Sequence, residues 1–332
     1  MPILTGSILS AAMSALLACS ATGTPVPMSY GEDVLHGPIR AIEVVLETQD
    51  GPARGWIAEV DLSWRDQQGR AVEIEVTGPI DEKEEARLEP TDVWAERVSA
   101  TLAVNANFFG WLGGGMAEVQ GLAVSDGLVV STPRISGDRP DPAVLFFEAD
   151  GVVRADATYQ GRDLPPGVTE AVAGIGPSGT SPVPGSMLVE EGEATGWTAR
   201  VEPDQRHPRT AIGVSRDGTR VYVAVIDGRQ PGWSVGVTLP ELAETMRAIG
   251  AWEAVNLDGG GSSAFVLRSS TEDPMTNRPS GGRFRAVANS IGFRLPMTEP
   301  IHPGGAGQEP PDGDHRTGEA EEPQMPSEEN DQ

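Results

Sequence analysis

The run best suited to chemistry is Asn256-Leu257-Asp258-Gly259-Gly260-Gly261-Ser262-Ser263. It places a carboxylate at the end of an apolar segment, followed by three glycines and two hydroxyl side chains. Three consecutive glycines lose much conformational entropy on folding, so they are expected where the backbone closely approaches another group. Successive N–H groups in such a turn form a concave anion site. We therefore expect Asp258 to be a catalytic carboxylate and residues 259–263 to bind phosphate, with a plain loop as the alternative.

Two further segments carry charged side chains next to predicted strands. Asp227-Gly228-Arg229-Gln230-Pro231-Gly232 follows a buried-looking strand, and Arg206-His207-Pro208-Arg209-Thr210 precedes another. A guanidinium group suits bidentate recognition of phosphate. These positions predict Asp227 as a second catalytic carboxylate, and Arg209 and Arg229 as phosphate ligands. A tight turn alone also explains the first segment, and a lone histidine such as His207 is more often structural than catalytic.

Side-chain amides and an aromatic ring accompany the ends of two other predicted strands. The first run is Asn105-Ala106-Asn107-Phe108-Phe109, and the second is Arg283-Phe284-Arg285-Ala286-Val287-Ala288-Asn289, which also adds basic residues. A few well-placed polar groups orient a bound ligand, and an aromatic ring offers it an apolar face. The predicted sugar-binding residues are Asn105, Asn107, Phe108, Asn256 and Asn289. A strand end with core aromatics is the alternative.

The sequence calls for no cofactor. It contains no Walker phosphate loop, Rossmann glycine motif, His-x-x-x-His zinc motif or Gly-x-Ser-x-Gly elbow. Asp258, Asp227 and Asn256 are suitable ligands for a hard cation such as Ca²⁺, although their spacing does not require one. The four histidines are His36, His207, His302 and His315. Two of them lie in predicted tails, which disfavours a metal cluster.

Charge and the N-terminal residues indicate partners and location. The 332-residue chain has a formal net charge of −25, which disfavours nucleic acid as a partner. Its single cysteine, Cys19, follows an apolar stretch, and Leu16-Leu17-Ala18-Cys19 resembles the lipobox of bacterial lipoproteins. We expect residues 1–19 to be a lipoprotein-type signal peptide and Cys19 to carry lipid. The protein would then be anchored in the cell envelope, on the periplasmic side of the outer membrane; an ordinary signal peptide is the alternative.

The remaining pattern predicts an α+β fold with mixed, mainly antiparallel sheets and a few packed helices. Segments rich in β-branched or apolar residues predict strands at residues 40–48, 72–77, 99–105, 211–215, 220–226, 253–257 and 263–267. Asp-Gly pairs predict hairpins at Asp126-Gly127, Asp150-Gly151 and Asp217-Gly218. Thr238-Leu239-Pro240-Glu241 is typical of a helix capping box. A second helix is predicted at residues 82–97 and a long loop at residues 165–185.

These elements divide the chain into five predicted segments. The signal peptide is followed by a tether at residues 20–38. Residues 39–97 form an N-terminal β-rich part, and residues 98–299 form the main domain. Residues 300–332 are acidic and poor in apolar side chains, so we expect them to be disordered because they bury too little surface to offset the ordering entropy.

At this point the motifs resemble those of the phosphodiester glycosidase family, over roughly residues 98–295. The matching runs, in chain order, are Asn105-Ala106-Asn107-Phe108-Phe109, Pro208-Arg209-Thr210-Ala211-Ile212-Gly213, Asp227-Gly228-Arg229-Gln230-Pro231-Gly232, Thr238-Leu239-Pro240-Glu241-Leu242-Ala243, the run from Asn256 to Ser263, and Arg285-Ala286-Val287-Ala288-Asn289. The resemblance implies an α+β fold and hydrolysis of a sugar-1-phosphodiester to free sugar and phosphomonoester. The sequence departs from the pattern in its N-terminal part and at residues 186–200, which look like an insertion.

Two other functions are compatible with the motifs. A non-catalytic module that binds an envelope glycan or phosphoglycan would keep the anion site and the aromatic residues. It would not need both Asp227 and Asp258, so the presence of the two carboxylates favours an enzyme. A phosphodiesterase that cuts the P–O bond would usually need the metal cluster that the histidine positions disfavour.

Overall fold

The computed structural model describes residues 28–80, 85–132, 144–148, 151–156, 163–174, 187–195, 201–269 and 273–296. The predicted signal peptide with Cys19, the first part of the tether and the acidic tail at 300–332 lie outside these residues, so they stay predictions. Within the described ranges, no helix combines the length and the apolar character that crossing a bilayer requires.

The largest sheet has eight strands and is antiparallel at every junction. In spatial order these are β1 (Met28–His36), β2 (Ile39–Thr48), β3 (Gly51–Asp61), β18 (Arg220–Ile226), β17 (Arg209–Val214), β19 (Glu253–Asn256), β15 (Val189–Glu190) and β16 (Glu193–Ala194). Strand β1 lies within the predicted tether, so regular secondary structure begins earlier in the chain than expected. Most side chains of β1 are exposed, so its sequence lacks the apolar pattern that predicts a strand. This edge strand is formed by backbone pairing with β2.

Two five-stranded sheets and two smaller ones complete the described structure. The first contains, in order, β21 (Met275–Thr276), β20 (Phe265–Leu267), β7 (Leu102–Asn105), β23 (Ser290–Arg294) and β4 (Glu73–Val76). The second contains β11 (Leu128–Ser131), β10 (Ala123–Ser125), β14 (Val168–Ala173), β12 (Val144–Glu148) and β13 (Val153–Asp156). The smaller sheets are β5 (Glu85–Arg87), β9 (Met116–Val119) and β8 (Phe109–Gly113), and β22 (Ala286–Val287) with β6 (Glu89–Pro90).

Apolar side chains cover both faces of the eight-stranded sheet. On one face, Ile212 and Val223 belong to the same buried cluster as Phe265 of β20. Trp56 stacks on Phe265 there, with ring centroids 5.4 Å apart and planes at 7°. On the other face, Ala211 and neighbouring side chains pack against helix α2, which spans Leu239–Ala248. Strands buried on both faces read as continuous apolar runs, which is why β17 and β18 were predictable.

Helix α2 (Leu239–Ala248) confirms the predicted capping box. The Glu241 N–H donates to the Thr238 hydroxyl at 3.3 Å, and the Thr238 N–H donates to Glu241 Oε2 at 2.9 Å. These two bonds satisfy amide groups that the first helical turn leaves without intrahelical partners. The helix closes before Gly250, whose φ of +109° lies in a region that glycine tolerates best.

The described structure is mixed, as expected, but β-sheets dominate it more strongly than the predicted α+β fold class implies. Helix α1 (Thr91–Arg97) and α2 are the only α-helices in the described ranges. The helix predicted at 82–97 is reduced to α1, because β5 and β6 pair with other strands before it. The loop predicted at 165–185 contains β14, which lies between β10 and β12; residues 175–186 lie outside the described part. Cross-strand pairing overrode the local glycine and proline content here.

A close contact between α1 and β23 gives a test of this packing. A Cβ added at Gly292 would lie 2.9 Å from Cβ of Ala100 and 2.9 Å from Cζ3 of Trp94. We expect Gly292→Ala to lower the free energy of unfolding by about 1–3 kcal/mol, the usual cost of overpacking. Urea unfolding measures this, with Gly110→Ala as the control because its Cβ would approach no atom closer than 3.8 Å. Equal losses in both variants would contradict the packing.

Candidate active site

The glycine turn, residues 258–263, lies where the eight-stranded sheet meets the sheet that contains β7. After β19 ends, the Leu257 N–H donates to Thr210 O at 2.9 Å and the Asp258 N–H donates to Ala106 O at 3.0 Å. Nδ2 of Asn105 donates to Asp258 O at 2.6 Å. The backbone of Asp258 is therefore held from both sheets, which fixes where its side chain leaves the chain.

Each of the three glycines lies close to a group from another segment of the chain. A Cβ at Gly259 would lie 2.9 Å from Pro208 O. A Cβ at Gly260, where φ is +62°, would lie 3.1 Å from Nη1 of Arg229. A Cβ at Gly261 would lie 2.6 Å from Nη2 of Arg285. Two guanidinium groups thus lie directly against the backbone of the turn. The fixed constraints on a Cβ are the Pro208 carbonyl at Gly259 and the positive φ at Gly260.

Most amides of the glycine turn already have protein acceptors, so they are less available to an anion than expected, and the phosphate-binding role of residues 259–263 stays a prediction. Gly259 N–H donates to Asp258 Oδ1 at 2.9 Å, and Gly260 N–H donates to Pro208 O at 2.8 Å. The amides of Ser262 and Ser263 donate back to carbonyls within the turn. Among the contacts of the described residues, only the Gly261 N–H of this run has no acceptor, because the turn closes as a short 3-10 helix (Gly260–Ser262).

Asp258 is the best-placed carboxylate for chemistry. Burial raises its pKa to about 6, while hydrogen bonds from the Ser262 hydroxyl and the Gly259 N–H and the charge of Arg285 act in the opposite direction. The net result is a carboxylate that titrates close to neutral pH and that is held by short-range donors. Such a pKa suits a group that accepts a proton or attacks an electrophile near pH 7.

Arg229 and Arg285 supply the positive charge. Nη1 of Arg285 lies 3.4 Å from the Ser262 hydroxyl oxygen, and Nε of Arg229 donates to Nδ1 of His207 at 3.3 Å. Both arginines are exposed, and no carboxylate of a described residue pairs with either one. Two unpaired guanidinium groups facing one turn form a site for an anion. Arg285 was missed as a ligand, although its basic run was noted in the sequence.

His207 and Glu202 hold Arg229 in place. Nε2 of His207 lies 2.6 Å from Oε2 of Glu202, and its Nδ1 accepts the Arg229 hydrogen bond. Because Nδ1 is the acceptor, this arrangement puts the ring proton on Nε2, facing the carboxylate. His207 therefore connects a carboxylate to a guanidinium group and leaves neither ring nitrogen free.

Arg209 lines the cleft but is mainly an anchor for the preceding loop. Its guanidinium donates to the backbone carbonyls of Val201, Glu202 and Gln205 at 2.9–3.0 Å and to that of Val237 at 3.4 Å. Burial lowers its pKa to about 10, and the nearby charge of Arg229 acts in the same direction. These carbonyls use four of its five N–H donors. The contacts of Arg209 therefore do not favour its predicted role as a main phosphate ligand.

Asp227 is held by protein donors outside the described lining of the cleft. Its Oδ1 accepts from Asn277 Nδ2 at 2.9 Å, and its Oδ2 accepts from Arg278 N–H at 3.0 Å and from Trp233 Nε1 at 3.4 Å. Burial raises its pKa, and those hydrogen bonds act in the opposite direction. These bonds make Asp227 a group that positions the segment beginning at Asn277, and its catalytic role stays a prediction that its contacts do not favour.

Three of the predicted sugar-binding amides belong to the buried core. Oδ1 of Asn105 accepts from the Thr210 hydroxyl at 2.9 Å and from Ala264 N–H at 3.0 Å. Asn107 and Asn289 hydrogen-bond to each other, with Asn289 Oδ1 accepting from Asn107 N–H at 2.9 Å and Asn289 Nδ2 donating to Asn107 Oδ1 at 3.1 Å. These amides connect sheets and offer no free surface to a sugar.

Asn256 and Ser263 differ from those amides. Both atoms of the Asn256 amide and the Ser263 hydroxyl are buried without a hydrogen-bond partner. Buried polar atoms usually have partners, so these two residues next to the glycine turn are unusual. Phe108, in contrast, is only partly buried and lines the aspartate cleft described below; its contact with a sugar stays a prediction.

Two clefts adjoin at the glycine turn. The aspartate cleft, about 420 Å³, is lined by Asp258, the three glycines, Phe108, Arg209, Arg229, Arg285, His207, Glu202 and Val201. The arginine cleft, about 580 Å³, shares Arg229, Gly261 and Arg285 with it and extends past Arg283. No cluster of three or more His, Cys, Asp or Glu residues in the described ranges is suited to hold a metal.

Comparison with known proteins agrees with this architecture. The chain is 30% identical over 204 residues to the SPbeta prophage-derived uncharacterized protein YomE of Bacillus subtilis (strain 168), covering 61% of this chain and 29% of the relative. This chain therefore spans less than a third of that relative. The fold is similar to the catalytic domain of zebrafish N-acetylglucosamine-1-phosphodiester alpha-N-acetylglucosaminidase, auto-inhibited by its pro-peptide. That match has a TM-score of 0.55 and 18% identity, and covers 82% of this chain and 89% of the other.

A hypothetical protein from Synechocystis matches with a TM-score of 0.49 and 16% identity, over 77% of this chain and 62% of the other. The profile of one protein family, described as phosphodiester glycosidase, matches residues 99–294. That range contains the glycine turn, both flanking arginines and the buried amides, and it makes up more than half of the chain. This protein belongs to the phosphodiester glycosidase family.

Proposed function

We propose that this protein hydrolyses the bond between a sugar and the phosphate group of a sugar-1-phosphodiester. The observation that carries the proposal is the juxtaposition of Asp258 with Arg229 and Arg285 in one cleft. A carboxylate beside unpaired cations fits a substrate whose reacting carbon is attached to an anionic leaving group. Family membership supports the same reaction class.

The phosphate of the substrate binds against the glycine turn. Arg229 and Arg285 donate to its non-bridging oxygens. The Gly261 N–H, which has no acceptor in the described structure, is available as a further donor. Hydrogen bonds from charged donors to phosphate are among the strongest polar contacts in proteins. This binding neutralises the leaving group as its charge grows, which is where electrostatic catalysis has its largest effect.

Hydrolysis breaks the bond between C1 of the sugar and the phosphate oxygen, and the electron pair stays on the phosphate. A water oxygen bonds to C1, one water proton remains on the new hydroxyl group, and the other passes to a base. Because the departing phosphomonoester is a weak base, it needs little protonation, unlike the alkoxide of an ordinary glycoside. One ionised carboxylate and an anion site therefore meet the main chemical demand of the reaction.

Asp258 is that carboxylate. It removes the proton from water in an inverting reaction, or attacks C1 itself in a retaining one. The anomeric configuration of the first product, followed by NMR, distinguishes the two routes. Phe108 is the aromatic side chain placed to face the sugar ring, since it lines the same cleft.

A non-catalytic phosphoglycan-binding module is the other candidate function. Such a module would need only the two arginines to bind the phosphate, and it would release its ligand chemically unchanged. The position of Asp258 in this cleft favours an enzyme, because an ionised carboxylate beside an anion site weakens simple anion binding.

Replacing the Asp258 carboxylate tests the chemistry. Asp258→Asn keeps the size of the side chain and an acceptor for the Gly259 N–H, but it removes the negative charge. We expect kcat to fall by about 10²–10⁴-fold, the usual contribution of a positioned acid–base group. The assay measures free sugar released from an N-acetylglucosamine-1-phosphodiester and other sugar-1-phosphodiesters. Activity within tenfold of the unchanged protein would contradict the assignment.

The pKa of Asp258 predicts the pH dependence. The ionised form is active, so kcat/KM is expected to fall as pH drops below about 6. The free energy of unfolding depends on pH in the opposite direction from activity. The pKa of Asp258 in the folded protein lies above the ordinary value of 3.8, so folding favours the protonated form. The unfolding free energy of the unchanged protein, compared with that of Asp258→Asn, should decrease by about 3 kcal/mol as pH rises through 4–6. A pH-independent difference in urea unfolding would contradict this.

The phosphate site gives a third test. We expect Arg285→Gln and Arg229→Gln each to lower kcat/KM by about 10-fold to 100-fold, because a hydrogen bond to a charged group contributes about 1.5–3 kcal/mol. The matched control is Arg216→Gln, which changes the net charge equally at an exposed arginine that packs over Trp252 with its guanidinium carbon 4.6 Å from the ring centroid. Losses in the control as large as in the two site variants would show a general charge effect instead.

A further inference from the structure

The arginine cleft adjoins the reaction site on the side away from Phe108. It shares Arg229, Gly261 and Arg285 with the aspartate cleft, and Arg283, Phe284 and Pro90 extend it. The sugar and the scissile phosphate occupy the aspartate cleft in the proposed function. The next part of the substrate, bonded to the far oxygen of the phosphate, therefore continues into the arginine cleft.

The charge of this second cleft is unusual for this chain. The whole protein carries a net charge of −25, with 49 acidic and 24 basic residues. Three arginines nevertheless line the arginine cleft, and no Asp or Glu appears among its described lining residues. A concave surface with one sign of charge concentrates ligands of the opposite sign. Arg229 and Arg285 serve the scissile phosphate, so Arg283 is the cation that the proposed reaction does not use.

The wall that carries Arg283 is fixed at both ends. At its start, Asp227 accepts the Arg278 N–H at 3.0 Å, and Nε2 of Gln230 donates to Arg278 O at 2.8 Å. At its end, β22 pairs with β6, which places Ala286 opposite Pro90. Between these anchors, Gly282 adopts a φ of +74°, with its N–H donating to Pro279 O at 2.9 Å. The backbone that carries Arg283 is therefore held on both sides, and Arg283 lines the arginine cleft.

We infer that the arginine cleft binds an anionic aglycone, so that the substrate carries at least one negative charge beyond the scissile phosphodiester. Arg283 is the specificity-determining residue for that charge, and Phe284 and Pro90 contact the apolar part between the two anionic groups. The inference rests on the proposed function for naming the aglycone. A chain of repeated phosphodiesters is the chemical class with this spacing of charge along its length.

The test uses analogues of the phosphomonoester product, so it does not depend on the identity of the sugar. Calorimetric titration at low salt compares ethyl phosphate with ethane-1,2-diol bisphosphate, which carries a second phosphate at the aglycone end. We expect the bisphosphate to bind about tenfold more tightly or better, which corresponds to about 1.4 kcal/mol. Arg283→Gln should reduce this preference to less than about threefold while leaving ethyl phosphate binding unchanged, whereas Arg216→Gln should keep both affinities.

The outcomes separate the two proposals. Equal binding of the two compounds, or an equal loss of preference in Arg283→Gln and Arg216→Gln, overturns the anionic aglycone. Retained preference without release of sugar from any sugar-1-phosphodiester overturns the hydrolase and leaves an anion-binding cleft. Sugar release without preference supports the hydrolase alone.

Discussion

The geometry of the candidate site depends on the backbone of residues 259–261, which groups from other segments contact directly. At Gly260 and Gly261 the space that a Cβ would occupy is filled by the guanidinium groups of Arg229 and Arg285. These cations consequently lie directly against the backbone that follows β19. The carboxylate of Asp258 leaves the chain at the same place, so charge of both signs is concentrated at one turn without a direct ion pair in the described structure.

Buried amides hold that turn in register with two sheets. Asn105 bonds to the Asp258 carbonyl, the Thr210 hydroxyl and the Ala264 N–H, which belong to three different segments. Each of these groups would otherwise be buried without a partner, and the desolvation cost of such a group is about 1–3 kcal/mol. Asn105 therefore fixes the backbone that carries Asp258.

The electrostatics of the site oppose those of the chain as a whole. An acidic protein repels the anionic substrates that its site is proposed to bind, and the cluster of unpaired arginines reverses the sign of the potential locally. Burial keeps the pKa of Asp258 at about 6 in spite of the neighbouring Arg285. This balance leaves the carboxylate ionised at neutral pH while its proton affinity remains high enough for base catalysis.

The sequence alone determined the elements whose signals are local. The capping box at Thr238 and Glu241, the apolar run of β18 and the glycine run after Asp258 were all readable, because caps, buried strands and tight turns constrain residue type within a few positions. Tertiary structure decided the roles of the polar side chains. Asn105 and Asp227 have the same chemistry in a core network as in a binding site, and only burial and hydrogen-bond partners distinguish these uses. Arg285 and Arg229 meet across 56 residues because two separate loops lie against Gly260 and Gly261, and spacing along a chain carries no record of such a contact.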